Sequence, residues 1–350
     1  MTASVSQPLA VGLIGAGGMG TRHAVNLHRF VPGARVAAVY DLDAGRASHA
    51  AAQSGGGAVC DDPLQLIQDP AVDAVLIASP DDTHARLTLA CLAAGKPVLC
   101  EKPLATGVAD AAVVVEAEAA LGRRLISVGF MRRFDPEHVA VRSAAHSGAI
   151  GAPLLFKGVH RNATAAFGVT GATILINSAG HDLDSARWML SAEVAEVRVR
   201  GLRSRADLHP DTRDLLAVEL AFAGGALAVI EVFVNAGYGY EVTAELVCQS
   251  GTAVSQQPDR ALVRAQGQRG FPVPSDWLSR FQEAYVIELT EWVASIREGR
   301  AFTGASAWDG LAAMTVTNAC IQALTSGAVT PVQLPQRPGL YEPVNNAAAP

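Results

Sequence analysis

The sequence predicts an α/β fold: an N-terminal doubly wound parallel sheet, followed by a C-terminal α+β domain with a mostly antiparallel, open-faced sheet. Three observations predict it. The apolar run 9–14 leads directly into Gly15-Ala16-Gly17-Gly18-Met19-Gly20, a GxGxxG turn at the end of a buried strand. Up to about Gly129, short apolar runs alternate with helix-length segments, the pattern of parallel strands joined by crossover helices. Beyond that point helical segments are followed by a series of alternating strands with glycines at the turns, which suits an antiparallel sheet covered on one face.

In the first part, strands are expected at 9–14, 35–40, 73–78, 97–100 and 124–128, with helices at about 19–30, 43–54, 62–68, 83–94 and 107–121. Gly95 and Gly122 stand where helix C-caps are needed. In the second part, helices near 136–147 and 180–190 precede strands near 194–202, 214–222, 226–234 and 240–248. Segments 275–298 and 307–326 read as helices, and the Pro-rich tail from Pro331 as extended chain. The expected domains are 1–128 and 129–350, with the C-terminal helix and tail free to return to the first.

With 350 residues, the chain is long enough for two domains with their own cores. Half the residues are hydrophobic and only 17% are charged, which excludes a disordered chain. The net charge of −6 is spread without a basic stripe or a basic amphipathic helix, so neither nucleic acid nor a membrane surface is an expected partner. Five scattered cysteines (60, 91, 100, 248, 320) show no metal spacing and no disulfide framework, and no HExxH-type histidine spacing occurs, so no metal is expected. The N-terminus lacks a charged, then apolar, then small-residue signal, and no window reaches transmembrane length. These features predict a soluble cytoplasmic protein.

The glycine turn carries a specific chemistry. Gly15 permits the tight strand-to-helix turn, Gly17 lets a pyrophosphate approach the backbone, and Gly20 lets the following helix pack on the strand. The N–H groups of Gly18 and Met19 open that helix and face the phosphates with the positive end of its dipole. Asp41 ends the second strand about twenty residues beyond Gly20, where a carboxylate holds a ribose 2′-hydroxyl and repels a 2′-phosphate. The dinucleotide-binding Rossmann arrangement with NAD as cofactor is therefore expected. Ser79-Pro80 and His84 fall where a nicotinamide nucleotide would cross the sheet edge, although Asp82 or Thr83 could simply cap the next helix and His84 could equally be a packed helix residue.

Glu101-Lys102-Pro103 follows the next strand, and here the chain resembles the Gfo/Idh/MocA oxidoreductases. The resemblance rests on GxGxxG, the acidic strand end, the Ser-Pro-x-x-x-His loop, an Ala-Gly-Lys-Pro-Val run and Glu-Lys-Pro, in that order. It implies that Lys102 is a functional lysine, that Glu101 lies near the cofactor, and that a cis peptide precedes Pro103. A lysine so placed could hydrogen-bond a substrate hydroxyl and favour its alkoxide as hydride leaves the same carbon. The run 129–136, Gly-Phe-Met-Arg-Arg-Phe-Asp-Pro, is similar to that of the branch of the family acting on inositol. By that resemblance Arg132 reaches substrate hydroxyls, whereas Arg133 is expected in an interdomain ion pair. His160 and Asn162 belong to the same resemblance and, two residues apart on a strand, point to one face, as a polyol site needs.

If residues 177–188 are helical, Asn177, His181, Asp184 and Trp188 recur on one face. Polar groups on such a stripe are poor core material unless they serve a site. The resemblance makes His181 the catalytic base, with an Asp usual four residues before it. This chain carries Asn177 there, which can bond a hydroxyl or orient a ring but cannot take a proton. By the resemblance Tyr240, rather than Tyr238, lends a phenol to the site, with plain packing as the alternative.

The resulting expectation is an NAD-dependent dehydrogenase that oxidises a secondary hydroxyl of a cyclic polyol, with inositol leading. Alternatives are another sugar, a glycoside or an amino-cyclitol precursor, or a non-catalytic dinucleotide-binding sensor. Apolar residues on both alternating sets of the second-half strands, such as Leu216 and Val218 against Leu215 and Ala217, predict self-association as a homodimer or homotetramer.

Overall fold

The structure is a computed structural model and describes residues 7–165, 169–255, 263–265 and 267–342. The chain forms two compact units, Met1–Phe130 with Tyr285–Met314 and Leu334–Pro350, and Met131–Ala284 with Thr315–Gln333.

The first unit is built on strands β1 (Leu9–Ile14), β2 (Ala34–Tyr40), β3 (Ala58–Val59), β4 (Ala74–Ile77), β5 (Val98–Glu101) and β6 (Ile126–Gly129). All neighbours are parallel and the order is β3-β2-β1-β4-β5-β6. Chain direction across the sheet reverses between β1 and β4, so the crevice for a ligand opens at their carboxyl ends. Helices α1 (Gly18–Phe30), α2 (Ala44–Gln53), α3 (Pro63–Gln68), α4 (His84–Ala93) and α5 (Val108–Leu121) connect them. β1, β4, β5 and β6 are buried along their whole length, as strands covered on both faces must be. Helix starts follow local chemistry: Asp43 caps α2, and Asp62 caps α3 with Pro63 in its first turn. Gly122 ends α5 in the left-handed conformation at φ 66°. The tail also belongs to this unit: Tyr341 donates to Glu118, which accepts the N–H groups of Leu125 and Ile126 as well.

The second unit carries a seven-stranded sheet: β7 (Pro153–Arg161), β8 (Val194–Leu202), β9 (Leu215–Phe222), β10 (Leu227–Phe233), β11 (Glu241–Cys248), β12 (Gly251–Val254) and, beyond a separate hairpin of β13 (Val263–Ala265) and β14 (Gln268–Gly270), β15 (Thr330–Pro331). Its order is β12-β11-β7-β10-β9-β8-β15, antiparallel except for the parallel β7–β10 pair. One face is core: Leu216, Val218 and Leu220 of β9, Ile230 and Val232 of β10, and Val242, Ala244 and Leu246 of β11 are buried. The other face is a mixture rather than the apolar surface expected. Leu227 and Val229 are exposed there, but Arg198, Glu219, Val229, Lys157 and Glu245 line up across it from strand to strand.

The helices of this unit are α6 (Pro136–His146), α7 (Gly171–Ile174) and α8 (Gly180–Leu190), with a π-helical turn over Leu175–Ala179. Two long helices, α9 (Trp277–Glu298) and α10 (Ala307–Ser326), each contribute to both units. Asp135 caps α6 and is the centre of a buried charge cluster. It accepts from both terminal nitrogens of Arg280, at 2.8 and 3.1 Å, and from His138 Nδ1 at 2.5 Å. Burial opposes its ionisation, but His138 and Arg280 outweigh this and hold the carboxyl far below the usual carboxylate range. Asp135→Asn is expected to cost about 2 kcal/mol in urea unfolding at neutral pH, because it removes charged hydrogen bonds from the buried Arg280 and leaves that cation only Glu137, 3.0 Å away, as a carboxylate partner. A depressed carboxyl stabilises above its unfolded value of about 4 and loses that contribution as pH falls through the folded value, so the difference between variant and wild type should shrink in acid.

Candidate active site

In the first unit, the glycine turn has the shape that a pyrophosphate requires. Gly15 has φ 93°, and a Cβ there would lie 2.4 Å from the Ser79 nitrogen. A Cβ on Gly20 would lie 1.8 Å from the Gly15 carbonyl oxygen, so α1 can seat on β1 only with glycine at that position. Gly17 and Gly18, in contrast, face open space, which a side chain would occupy. Asp41 closes the turn from β2: Oδ2 accepts the Ala16 N–H at 2.7 Å and Oδ1 accepts the Asp43 N–H at 2.9 Å. A cavity of about 340 Å³ at this strand end is lined by Gly15, Asp41, Leu42, Arg46, Ser79 and Thr83, among others. These residues fit a dinucleotide: a bare-backbone cradle for phosphates, a carboxylate for the ribose, and the exposed Leu42 for the adenine face. Arg46 is turned to Asp43, with Nε 3.4 Å from Oδ2.

The loop after β4 is tied to the segment after β5. Ser79 Oγ and Thr83 Oγ1 are 2.6 Å apart, Pro80 starts the short helical turn, and Met19 lies in the first turn of α1. Of the two readings of His84, stacking near the cofactor or packing in the helix, the ring takes the packed one. It is buried, with Nδ1 2.7 Å from the Pro103 carbonyl and Nε2 2.9 Å from that of Ser79. Burial opposes its protonation, but Cys100 beside the ring and the two carbonyls outweigh this, and its pKa is pushed up to about 10. The ring therefore acts as a staple between the Ser79-Pro80 loop and Glu101-Lys102-Pro103. The Lys102–Pro103 peptide is cis. Lys102 is half-buried, whereas Glu101 is buried and directed inward, with Oε1 2.7 Å from His23 Nε2.

In the second unit, Arg132, His160, Asp182 and Tyr240 form one buried cluster. Arg132 Nη1 donates to Asp182 Oδ1 at 2.5 Å, and its Nη2 lies 3.1 Å from His160 Nδ1. His160 Nδ1 is closer, at 2.8 Å, to Asp182 Oδ2, which favours a proton on that nitrogen. Nε2 is then left as the acceptor facing the Tyr240 hydroxyl at 3.4 Å. Burial pushes the Tyr240 phenol up to about 12, so it stays protonated. Burial also opposes ionisation of Asp182, but Arg132 and His160 outweigh it and hold the carboxyl below its usual range. Asn162 follows β7, and its side-chain oxygen is buried without a hydrogen-bond partner among the described residues.

The expected helical stripe keeps His181, Asp184 and Trp188 along α8 but is broken at Asn177. The turn over Leu175–Ala179 is π-helical, so its phase differs from that of α8. Asn177 is exposed and His181 half-buried, while Asp184 is buried in a two-pronged pair with Arg133, at 2.9 and 2.6 Å. That pair lies within the second unit and is not an interdomain contact. It engages both oxygens of Asp184, a residue expected at the substrate. Asp182, which no sequence pattern singled out, instead holds Arg132 and His160. Tyr238 is exposed and bonds Arg161 and Glu241.

The family models match in two blocks. Residues 9–130 match an oxidoreductase family described as an NAD-binding Rossmann fold, and residues 138–254 match the GFO/IDH/MocA C-terminal domain. An inositol 2-dehydrogenase of Rubrobacter xylanophilus is 49% identical over 340 residues, covering 96% of each chain. Inositol 2-dehydrogenase 4 of Saccharopolyspora erythraea is 46% identical, covering 96% of this chain and 99% of its own. Among solved structures, myo-inositol dehydrogenase from Lactobacillus casei, in complex with NAD(H) and myo-inositol, superposes with a TM-score of 0.92 at 29% identity, covering 96% of this chain and all of that one. With an intact dinucleotide turn, a Glu-Lys-Pro strand end and both domains matched, the chain belongs to the Gfo/Idh/MocA family of NAD-binding oxidoreductases.

Proposed function

We propose that this protein is an NAD-dependent dehydrogenase that oxidises a secondary hydroxyl of a cyclic polyol, inositol in the first place, to the ketone. The observation that carries the reading is the joint presence of Lys102 in Glu-Lys-Pro and His181 in a chain matching an inositol 2-dehydrogenase over 96% of its length. Retention of both groups argues against a dinucleotide sensor. His181 takes the hydroxyl proton. The Lys102 ammonium donates to the same oxygen and stabilises the alkoxide as the carbon-bound hydrogen leaves with its electron pair. When bound, the nicotinamide ring supplies the acceptor for that hydride. Tyr240, His160, Asn162 and Arg132 supply the donors and acceptors that orient a polyol, and Asn177 contributes an amide and no charge. The test is turnover with NAD across a panel of inositols, aldoses and glycosides, followed by the absorbance of reduced cofactor. An inositol should give the highest kcat/KM; no turnover on any member, or an aldose leading, would contradict the reading.

The cofactor preference follows from the end of β2. Asp41 is held towards the glycine turn and Asp43 lies beside it, while Arg46 is paired with Asp43 and so is not directed to a 2′-phosphate. Like-charge juxtaposition costs several kcal/mol, so kcat/KM should favour NAD over NADP by about 100-fold or more. Asp41→Ser should narrow that ratio, and equal efficiency in the wild type would refute the assignment.

The proposal extends to self-association through the outer face of the seven-stranded sheet. Leu202, Leu227 and Val229 are exposed on this face, alongside charges of both signs that a second copy could match. Light scattering at micromolar concentration should give a multiple of the chain mass, a dimer or tetramer, and a monomer would remove this part. No helix among the described residues is long and apolar enough to cross a membrane. Cysteines without disulfides support a reducing compartment such as the cytoplasm.

A further inference from the structure

The first unit buries a polar cluster that the proposed reaction does not use. His23 lies on α1, one turn beyond the dinucleotide-binding glycines, and is fully buried. Its Nε2–H donates to Glu101 Oε1 at 2.7 Å. The other oxygen of Glu101, Oε2, accepts the backbone N–H of Lys102 at 3.2 Å. Gly129 of β6 leaves the space this carboxylate fills: a Cβ there would stand 2.9 Å from Oε2. From α9, Tyr285 meets the His23 ring edge-on, with centroids 5.6 Å apart. One turn further along α9, Glu288 is fully buried, and neither of its carboxyl oxygens has a hydrogen-bond partner among the described residues.

A buried carboxyl with no donor is strongly disfavoured in its ionised form. Burial, and then the negative charge of Glu101, push Glu288 well above the usual carboxylate range. Glu101 goes the other way: burial opposes its ionisation, but the hydrogen bond and charge of His23 and the Lys102 ammonium hold its carboxyl lower. The two acids thus divide into one ionised and one protonated group. His23 from α1, Lys102 after β5, and Tyr285 and Glu288 from α9 are the titratable groups of this cluster among the described residues.

We propose that Glu101 is a positioning residue for Lys102: its carboxylate, pinned by His23 on the cofactor-binding helix, fixes the Lys102 backbone and so the approach of the ammonium to the substrate hydroxyl. This rests on the reading of Lys102 as the group that stabilises the alkoxide. The carboxyl of Glu288 carries a proton, which keeps the cluster at a single carboxylate charge. Two ionised carboxylates behind the lysine would draw its ammonium towards the interior and away from the hydroxyl. The bond between His23 and Glu101 also ties the helix that receives the dinucleotide phosphates to the strand end that carries the lysine.

A double-mutant cycle tests the proposal. Glu101→Gln should lower kcat by about 10- to 100-fold, the usual effect of losing a supporting partner of a functional group. NAD dissociation constants, read by fluorescence, should stay within about threefold, because a positioning role acts on the chemical step. In a Lys102→Met background, Glu101→Gln should have no further effect on the residual rate. The same cycle with His23→Gln reads the coupling from the other end of the pair and should also be non-additive. An equal loss in both backgrounds overturns the positioning role and leaves the role of Lys102 intact. Wild-type turnover by Lys102→Met overturns the reading of Lys102 and this proposal with it. Protonation of Glu288 is read without activity, from the infrared difference between wild type and Glu288→Gln. A protonated-carboxyl C=O band lost in the variant supports the proposal, and its absence from the difference spectrum overturns the division of charge.

Discussion

Lys102→Ala is expected to lower kcat by about 10²- to 10⁴-fold, the range for removing one donor to a developing oxyanion or one proton-transfer partner. The NAD dissociation constant should remain within about threefold, because the contacts that the structure offers a dinucleotide lie elsewhere. Those contacts are the open backbone of Gly17 and Gly18, the Asp41 carboxylate and the cavity beside Ser79. Lys102 itself follows a strand that is buried throughout, and its backbone N–H is held by Glu101. A side chain on so rigid a base loses little orientation freedom on meeting a hydroxyl, which makes its charge effective in the transition state. A steady-state comparison of kcat and KM separates the possibilities. A fall in kcat with little change in KM is the expected result; unchanged kcat would make Lys102 structural and remove the proposed mechanism.

The second large effect is expected at Asp182. Asp182→Asn keeps the shape but removes the charge that balances Arg132, and a buried cation left uncompensated costs about 3–5 kcal/mol of stability. Its single amide oxygen also cannot accept from both Arg132 and His160, so with that oxygen on Arg132 the amide NH2 faces His160 Nδ1. His160 can then turn its protonated nitrogen towards Tyr240, and the donor–acceptor order along Asp182, His160 and Tyr240 is lost. The kcat/KM for the polyol should therefore fall by at least about tenfold. The pH dependence has a definite sign. The Asp182 carboxyl is depressed in the folded state, so its contribution is present above the unfolded value of about 4 and disappears as pH falls through the folded one. Urea unfolding at neutral and acid pH, together with kcat/KM, checks both parts. A stability change below about 0.5 kcal/mol with unchanged kcat/KM would show the cluster to be inessential.

The first unit was legible because its signals are local. Gly20 is required by a contact within a single strand–turn–helix, Gly15 by its positive φ as well as by the backbone after β4, and Asp41 is placed by the length of that unit. Strand and helix alternate with clear punctuation at Gly95 and Gly122, and the bounds of the expected elements are met to within a residue or two, whereas β3, two exposed edge residues, was not expected because it carries no apolar run. β7 is harder to read, because Leu154, Leu155 and Phe156 run together without alternation. The π-helical turn over Leu175–Ala179 has no sequence signature, yet it decides which way Asn177 points relative to α8. Choosing between Asp182 and Asp184 was beyond sequence for a related reason. Both are buried on one short helix, and only their tertiary partners, Arg132 with His160 against Arg133, give them different parts. His84 and Glu101 show the same limit: the motif places them at the right strand ends, but packing turns both inward.

The central claim is that the hydrogen on the carbinol carbon leaves as hydride while the hydroxyl proton goes to the protein. The measurement that tests it most directly is a single turnover of NAD with inositol deuterated at the reacting carbon, with the reduced cofactor analysed by mass spectrometry. The account predicts one deuterium in the reduced cofactor and a slower reaction than with unlabelled inositol. Reduced cofactor without deuterium, or no reduced cofactor at all, would contradict it.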